Sequence, residues 1–135
     1  MQELVIEAKI ENLDKLNEFV HNAISDLNFE KKSIMQLDLI VEEIFVNIAN
    51  YAYSPKTGLA KILLDIKCEW ISLTFIDSGI PYNPLEQSDP DVNLSVDERE
   101  IGGLGIFLTK KFVDKISYQY INNQNVLTIE KILGK

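Results

Sequence analysis

The chain has 135 residues, of which 46% are hydrophobic and 25% charged, a composition typical of one globular domain with its own core. A net charge of −8 argues against direct binding of nucleic acid and against electrostatic attachment to a membrane, because both require a basic surface. Without a signal peptide pattern or an apolar run of the ~20 residues that cross a bilayer, the sequence predicts a single cytoplasmic domain over residues 1–135.

The first part of the chain predicts one strand and two helices. Apolar and polar residues alternate near the N-terminus and predict a half-buried strand over about 2–10. Asn12 is a suitable N-cap for an amphipathic helix that runs to about Leu27. A longer helix with the same 3.6-residue period is expected over about 31–53.

The middle of the chain predicts a β-hairpin. Its strands are Leu59–Lys67 and Trp70–Asp77, and only Cys68 and Glu69 separate them. Cys68 lies in this apolar, strand-like run, so we expect a buried and inert thiol. With one cysteine and one histidine, the chain can form neither an internal disulfide nor an ordinary zinc site.

The last part of the chain predicts a lid, a helix and a second hairpin. Residues 82–101 show no periodicity and contain several Pro, Asp and Asn residues, which is typical of a functional loop or lid. A helix over about 104–115 and a hairpin of strands 116–121 and 126–133 follow. This order separates the helices from a mostly antiparallel sheet and predicts a two-layer α+β sandwich.

Three glycines precede the last predicted helix, at Gly102, Gly103 and Gly105. Glycine lets the backbone approach a ligand closely, and the first N–H groups of a helix have no internal partner. The segment therefore suits a phosphate group. The alternative is a flexible hinge without a ligand.

Three polar residues share one face of the long predicted helix: Glu43, Asn47 and Tyr51. An Asn amide oxygen is a suitable Mg²⁺ ligand, and a Glu beside it can act as a base or position a water. The alternative is a solvated polar face.

Asp77 ends an otherwise apolar strand and is followed two residues later by Gly79. A carboxylate at a sheet end can accept a hydrogen bond from an amine such as the exocyclic amine of adenine, and the glycine would let the backbone approach the base. The alternative is an Asp that only initiates a turn.

The order of these motifs resembles the GHKL ATPase superfamily, which includes gyrase, a heat-shock chaperone, histidine kinases and a mismatch-repair ATPase. The N box reads Glu43-Ile-Phe-Val-Asn47, the first glycine box Asp77-Ser-Gly79, and the second Gly102-Gly-Leu-Gly105. The continuation Tyr82-Asn83-Pro84 and the approach Arg99-Glu-Ile-Gly-Gly-Leu-Gly105 are similar to the serine-protein kinase anti-sigma factors, the RsbW-like branch.

The resemblance implies a Bergerat fold that binds ATP or ADP with Mg²⁺ between the helices and the lid. It implies that Glu43 is the catalytic base, that Asn47 holds Mg²⁺, that Asp77 binds the adenine amine and that Gly79 lies beside the base. Two positions depart from the pattern: Tyr51 stands where many relatives have His, and Asn125 is the nearest match to a late-strand Thr. The nucleotide-binding set also includes Arg99, Gly102, Gly103, Leu104 and Gly105.

The implied activity is that of a serine/threonine-protein kinase. It would phosphorylate an anti-anti-sigma partner, a small STAS-type domain, and sequester a sigma factor. The resemblance also implies a homodimer. One alternative is a nucleotide-gated binding module without phosphotransfer, against which Glu43 argues, because a binder needs no base. The other is a detached histidine-kinase domain, which is disfavoured because His21, in the first helix, fits ordinary packing.

Overall fold

The computed structural model describes residues 1–53, 56–86 and 109–134, which form an antiparallel sheet and helices. The sheet has the order β1-β2-β3-β5-β4, and every neighbouring pair is antiparallel. The predicted α+β class is confirmed. The elements are β1 (Gln2–Glu7), α1 (Leu13–Ile24), α2 (Lys31–Asn47), β2 (Leu59–Lys67), β3 (Trp70–Asp77), β4 (Lys115–Ile121) and β5 (Gln124–Ile132).

The core lies between the helices and one face of the sheet. Along β3 and β5 every second side chain is buried, as the twofold period of a strand requires. The apolar members of this inward row meet the buried stripes of α1 and α2 in one cluster. The largest fully buried side chains include Phe45, Phe75, Leu37, Leu73 and Ile129.

The inward row of β5 is polar at both ends, and that of β3 is polar at its C-terminal end. Asp77 ends the row on β3 and Asn125 begins it on β5, and the two residues are paired in the register. At the far end of β5, Lys131 is 4% exposed, and its Nζ donates to Gln36 Oε1 at 2.9 Å and to Phe112 O at 2.8 Å. Burial lowers the pKa of Lys131, and the charge of Asp114 opposes that effect.

The β2–β3 hairpin has the predicted strands, but the prediction for Cys68 is wrong. Cys68 is exposed and has a φ of 55° in the turn, so it lies outside the core. Beyond the turn, Trp70 points to the sheet face away from the helices, where Lys115 Nζ lies 5.9 Å from its ring centre.

The β4–β5 hairpin has a tighter turn than the sequence predicts. Asn122 and Asn123 alone form it, with φ values of 54° and 62°. Asn tolerates this left-handed region and suits two-residue hairpin turns. The strands therefore extend two residues closer to the turn on the β5 side, and Asn125 lies within β5.

The helices differ from the prediction at their ends. Asn12 occupies the predicted N-cap position of α1, which begins at Leu13, but its side chain makes no cap hydrogen bond; its Nδ2 donates to Glu7 O at 2.9 Å. The helix predicted over 31–53 divides into α2 and a π-helical segment, Ile48–Ala52. Residues 109–112 are helical, and β4 begins at Lys115, so the helix predicted to 115 ends earlier.

His21 lies at the surface between the two helices, which corrects the expectation of ordinary packing. Its Nε2 is 2.6 Å from Asp38 Oδ1 of α2, and its side chain is 48% exposed. In the residues that the structure describes, no helix combines the length and the apolar character needed to cross a bilayer.

Candidate functional site

A cavity opens where the end of β3, the start of β5 and the C-terminal part of α2 meet. Its empty space, including the part that is open to solvent, is about 460 Å³. Four of the predicted site residues contribute to its wall: Asn47, Tyr51, Asp77 and Asn125. The other lining residues are mostly apolar or aromatic: Ile44, Ile48, Ala52, Phe75, Ile80, Tyr82, Pro84, Tyr118 and Leu127.

Asp77 lies in this wall because it continues the inward row of β3 past Phe75. It is 6% exposed, and its Oδ1 accepts hydrogen bonds from Gly79 N and from Asn125 Nδ2, both at 2.9 Å. Burial raises the pKa of Asp77, and these two hydrogen bonds oppose the rise. The carboxyl group is thus held in a defined orientation at the edge of an apolar cavity.

The turn after Asp77 packs directly on the end of the π-helical segment. Ile80 N donates to Ala52 O at 2.9 Å, and a Cβ on Gly79 would lie only 2.2 Å from the same oxygen. Glycine is therefore required here for a close backbone approach within the protein. Tyr53 supports the same turn, since its Oη accepts from Ser78 N at 2.7 Å.

Two tyrosines form an aromatic part of the cavity wall. The rings of Tyr51 and Tyr82 stack with centroids 6.1 Å apart and an interplanar angle of 29°. Tyr51 is 37% exposed. An aromatic surface of this kind can pack against a planar heterocycle.

Asn47 and Glu43 lie one helical turn apart on the face of α2 that leads to the cavity. Asn47 is 9% exposed and lines the cavity. Glu43 Oε1 is buried and has no hydrogen-bond partner among the described residues. Burial, and to a lesser extent the charge of Glu42, raises the pKa of Glu43 to about 7.

This pair fits a magnesium ion that is shared with a phosphate-bearing ligand. In the described part of the chain no three His, Cys, Asp or Glu side chains cluster into an all-protein metal site. Mg²⁺ usually keeps several waters and takes only one or two protein oxygens when phosphates are present. The Asn47 amide oxygen meets that need, and Glu43, one helical turn away, can act on a proton beside the ion.

Five of the predicted site residues lie outside the described ranges: Arg99, Gly102, Gly103, Leu104 and Gly105. Their predicted roles at the phosphates therefore stay predictions. The cavity residues that sequence reasoning did not select for the site include two tyrosines, Tyr82 and Tyr118. Tyr82 was part of a quoted motif, whereas Tyr118 could be placed only from the inward alternation of β4 and its register with β5.

Comparisons with known proteins agree with this architecture. A serine/threonine-protein kinase, BtrW of Bordetella bronchiseptica, is 29% identical over 117 residues, which are 86% of this chain and 82% of that protein. A structure of the RsbU and RsbW domains of Rv1364c from Mycobacterium tuberculosis superposes over the whole chain with a TM-score of 0.65 and 11% identity. The chain spans 33% of that protein.

A weaker structural likeness is to a histidine kinase. The structure of the histidine kinase AdeS of Acinetobacter baumannii superposes with a TM-score of 0.50 and 12% identity. The superposition covers the whole of this chain and 70% of the AdeS chain. A family model described as a histidine kinase-like ATPase domain matches residues 6–131, from β1 to β5. Nearly the whole chain, including the cavity and both central strands, therefore lies within the match, and the chain belongs to the histidine kinase-like ATPase domain family.

Proposed function

We propose that the chain is an ATP-dependent serine/threonine-protein kinase of the anti-sigma type. ATP and Mg²⁺ bind at the cavity, and the γ-phosphate passes to a Ser or Thr hydroxyl of a STAS-type partner. A sigma factor is the second partner, held or released according to the bound nucleotide. The name of the Bordetella relative and the RsbW domain of the mycobacterial structure support this assignment.

The observation that carries the proposal is the state of Glu43. Among the described residues Glu43 Oε1 is buried without a hydrogen-bond partner, which is unfavourable for a carboxylate oxygen unless the group has a use. With a pKa of about 7, Glu43 is poised to take a proton near neutral pH. A protein that only binds nucleotide has no need of such a group.

The described residues divide the work of binding and proton transfer. Asp77 accepts a hydrogen bond from the adenine amine, Gly79 lies beside the base, and Tyr51 packs at its edge. The Asn47 amide oxygen would hold Mg²⁺, which would neutralise phosphate charge when bound. The hydroxyl oxygen of the partner Ser or Thr bonds to the γ-phosphorus, and the bond from that phosphorus to the β-phosphate oxygen breaks. Glu43 accepts the proton that the hydroxyl loses.

The test compares two neighbouring glutamates. Glu43→Gln should lower phosphotransfer to STAS domains by about 10²- to 10⁴-fold, because a general base acts on the rate, and should leave ATP affinity within a few-fold. Transfer is followed with γ-labelled ATP and affinity by calorimetry, both at a pH above 8. Glu42→Gln makes the same chemical change at an exposed neighbour and should transfer at nearly the wild-type rate.

The possible outcomes separate the alternatives. Wild-type transfer by Glu43→Gln would show that the base lies elsewhere. Tight ATP binding without transfer to any STAS domain would favour the nucleotide-gated binding module.

A further inference from the structure

The side chain of Asn125 is the centre of a hydrogen-bond network at the wall of the cavity. Its Nδ2 donates to Asp77 Oδ1 at 2.9 Å and to Ile80 O at 2.8 Å. Its Oδ1 accepts from Tyr82 N at 3.1 Å and from the Tyr118 hydroxyl. Asn125 is 6% exposed, so these bonds form away from bulk water.

The direction of every bond in this network follows from two backbone groups. Tyr82 N can only donate, and Ile80 O can only accept, so the orientation of the Asn125 amide is determined. Tyr118 must then donate to Oδ1, and Asp77 must accept from Nδ2. The two N–H groups and the two lone pairs of the amide are all used, which leaves Asn125 nothing to offer a ligand.

The network determines which oxygen of Asp77 faces outward. Both hydrogen bonds that Asp77 accepts from the described residues, from Asn125 and from Gly79, reach Oδ1. Oδ2 takes no part in these two bonds. Asp77 lines the cavity, so Oδ2 is the oxygen left to accept a hydrogen bond from a ligand there.

We propose that Asn125 and Tyr118 are positioning residues that aim Asp77 Oδ2 at the exocyclic amine of adenine without touching the nucleotide themselves. This inference rests on the proposed function, which places ATP in the cavity. It adds an explanation of how the cavity would select adenine by its exocyclic amine. Tyr118 acts through Asn125, because its hydroxyl holds Oδ1 of the amide whose Nδ2 donates to the Asp77 carboxylate. The same amide clamps residues 80–82, which form the rim of the cavity.

The test uses two triphosphates that differ only in that amine: ATP, and purine riboside triphosphate, which lacks it. Calorimetry on the full chain gives both affinities and their ratio, which we expect to favour ATP in the wild type. Tyr118→Phe removes one buried hydrogen bond and should weaken ATP binding about 3- to 10-fold. Asn125→Ala removes the hydrogen-bond partner of the buried Asp77 carboxyl and should weaken it about 10- to 100-fold. Tyr118→Phe should leave the affinity for purine riboside triphosphate within twofold.

A matched control lies on the same strand. Tyr120 is 42% exposed, and its hydroxyl takes no part in the Asn125 network, so Tyr120→Phe should keep the wild-type ratio. Thermal denaturation of each variant without nucleotide shows whether it is folded. A merely structural defect would weaken both nucleotides equally and leave their ratio unchanged, whereas a positioning role moves the ratio towards one.

Each result bears on one statement. A wild-type ratio in folded Tyr118→Phe and Asn125→Ala would overturn the positioning role, and a wild-type protein that binds both nucleotides equally would overturn the reading of the amine by Asp77. A wild type that binds neither nucleotide would overturn the proposed function and this inference with it.

Discussion

Two carboxyl groups near the cavity, Asp77 and Glu43, are both buried but differ in their hydrogen bonds. Burial raises the pKa of both Asp77 and Glu43. For Asp77, hydrogen bonds from Asn125 and Gly79 stabilise the charged form and oppose the rise. Glu43 Oε1 has no such partner among the described residues, and the charge of Glu42 adds to the rise. The two groups are thus suited to different tasks, acceptance of a fixed hydrogen bond and exchange of a proton.

The raised pKa of Glu43 predicts a stability that falls with pH. Between 4.5, its ordinary value, and about 7, its value in the fold, the folded protein keeps a proton that the unfolded chain has released. The free energy of unfolding therefore decreases as the pH rises through this window and is constant above it. Because Glu43 is only half-buried, water screening reduces the effect to about 1–2 kcal/mol.

Chemical denaturation at pH 4.5, 6 and 8 measures this dependence. Glu43→Gln has no proton to release at this position. Its free energy of unfolding, relative to that of the wild type, should therefore increase by about 1–2 kcal/mol from the lowest to the highest pH. Glu42→Gln should keep a slope close to that of the wild type. Equal pH dependence in the wild type and in Glu43→Gln would contradict the prediction.

At the scale of elements, the contact between the β3 turn and the π-helical segment sets the geometry of the site. Gly79→Ala would place a Cβ 2.2 Å from Ala52 O, a backbone atom that cannot move aside cheaply. We expect a loss of about 1–3 kcal/mol in stability, as for an overpacked site. ATP affinity should also fall, because Asp77 is displaced from α2.

Gly134→Ala is the control for this prediction. Its added Cβ would meet Glu30 Oε2 at 2.8 Å, the mobile end of an exposed side chain that can turn away. Its melting temperature should change little. A Gly79→Ala protein that keeps wild-type melting temperature and ATP affinity would show that the turn can shift without cost.

Much of the sheet could be predicted because alternation is a local signal. The burial of β3 follows directly from Trp-Ile-Ser-Leu-Thr-Phe-Ile-Asp, and it carries Asp77 to the cavity. The π-helical segment could not be predicted, because one wide turn hardly disturbs a 3.6-residue pattern. The left-handed turn at Cys68 had no Gly or Asn to indicate it.

The site was predictable only where a motif lies on one element. Glu43 and Asn47 share a helix, so their spacing alone places them on one face. The bonds of Asn125 to Asp77 and Tyr118 join three strands, and they depend on the register and on the length of the Asn122–Asn123 turn. A sequence pattern without the register cannot supply that information.

At the scale of the whole molecule, we predict a homodimer. The family resemblance motivates this prediction, and β1 is compatible with it: it is an edge strand that pairs only with β2 in the described sheet, and Val5 on it is 49% exposed. Light scattering at a protein concentration of tens of micromolar should give a molecular mass twice that of the 15.4 kDa chain. Val5→Lys, which puts a charge on the edge, should shift the protein towards the monomer. A wild type of 15.4 kDa with and without ATP would contradict dimer formation.

The distribution of aromatic residues gives this protein two separate optical reporters. Its single tryptophan, Trp70, lies at the hairpin end of β3 on the outer face, about 24 Å along the strand from Asp77. Tyr51, Tyr82 and Tyr118 line the cavity. Tryptophan emission, excited where tyrosine does not absorb, therefore reports on the hairpin end of β3, away from the cavity. The cavity holds three of the five tyrosines, so tyrosine emission should respond to ligand occupancy, and occupancy and unfolding can be followed in one sample without an attached dye.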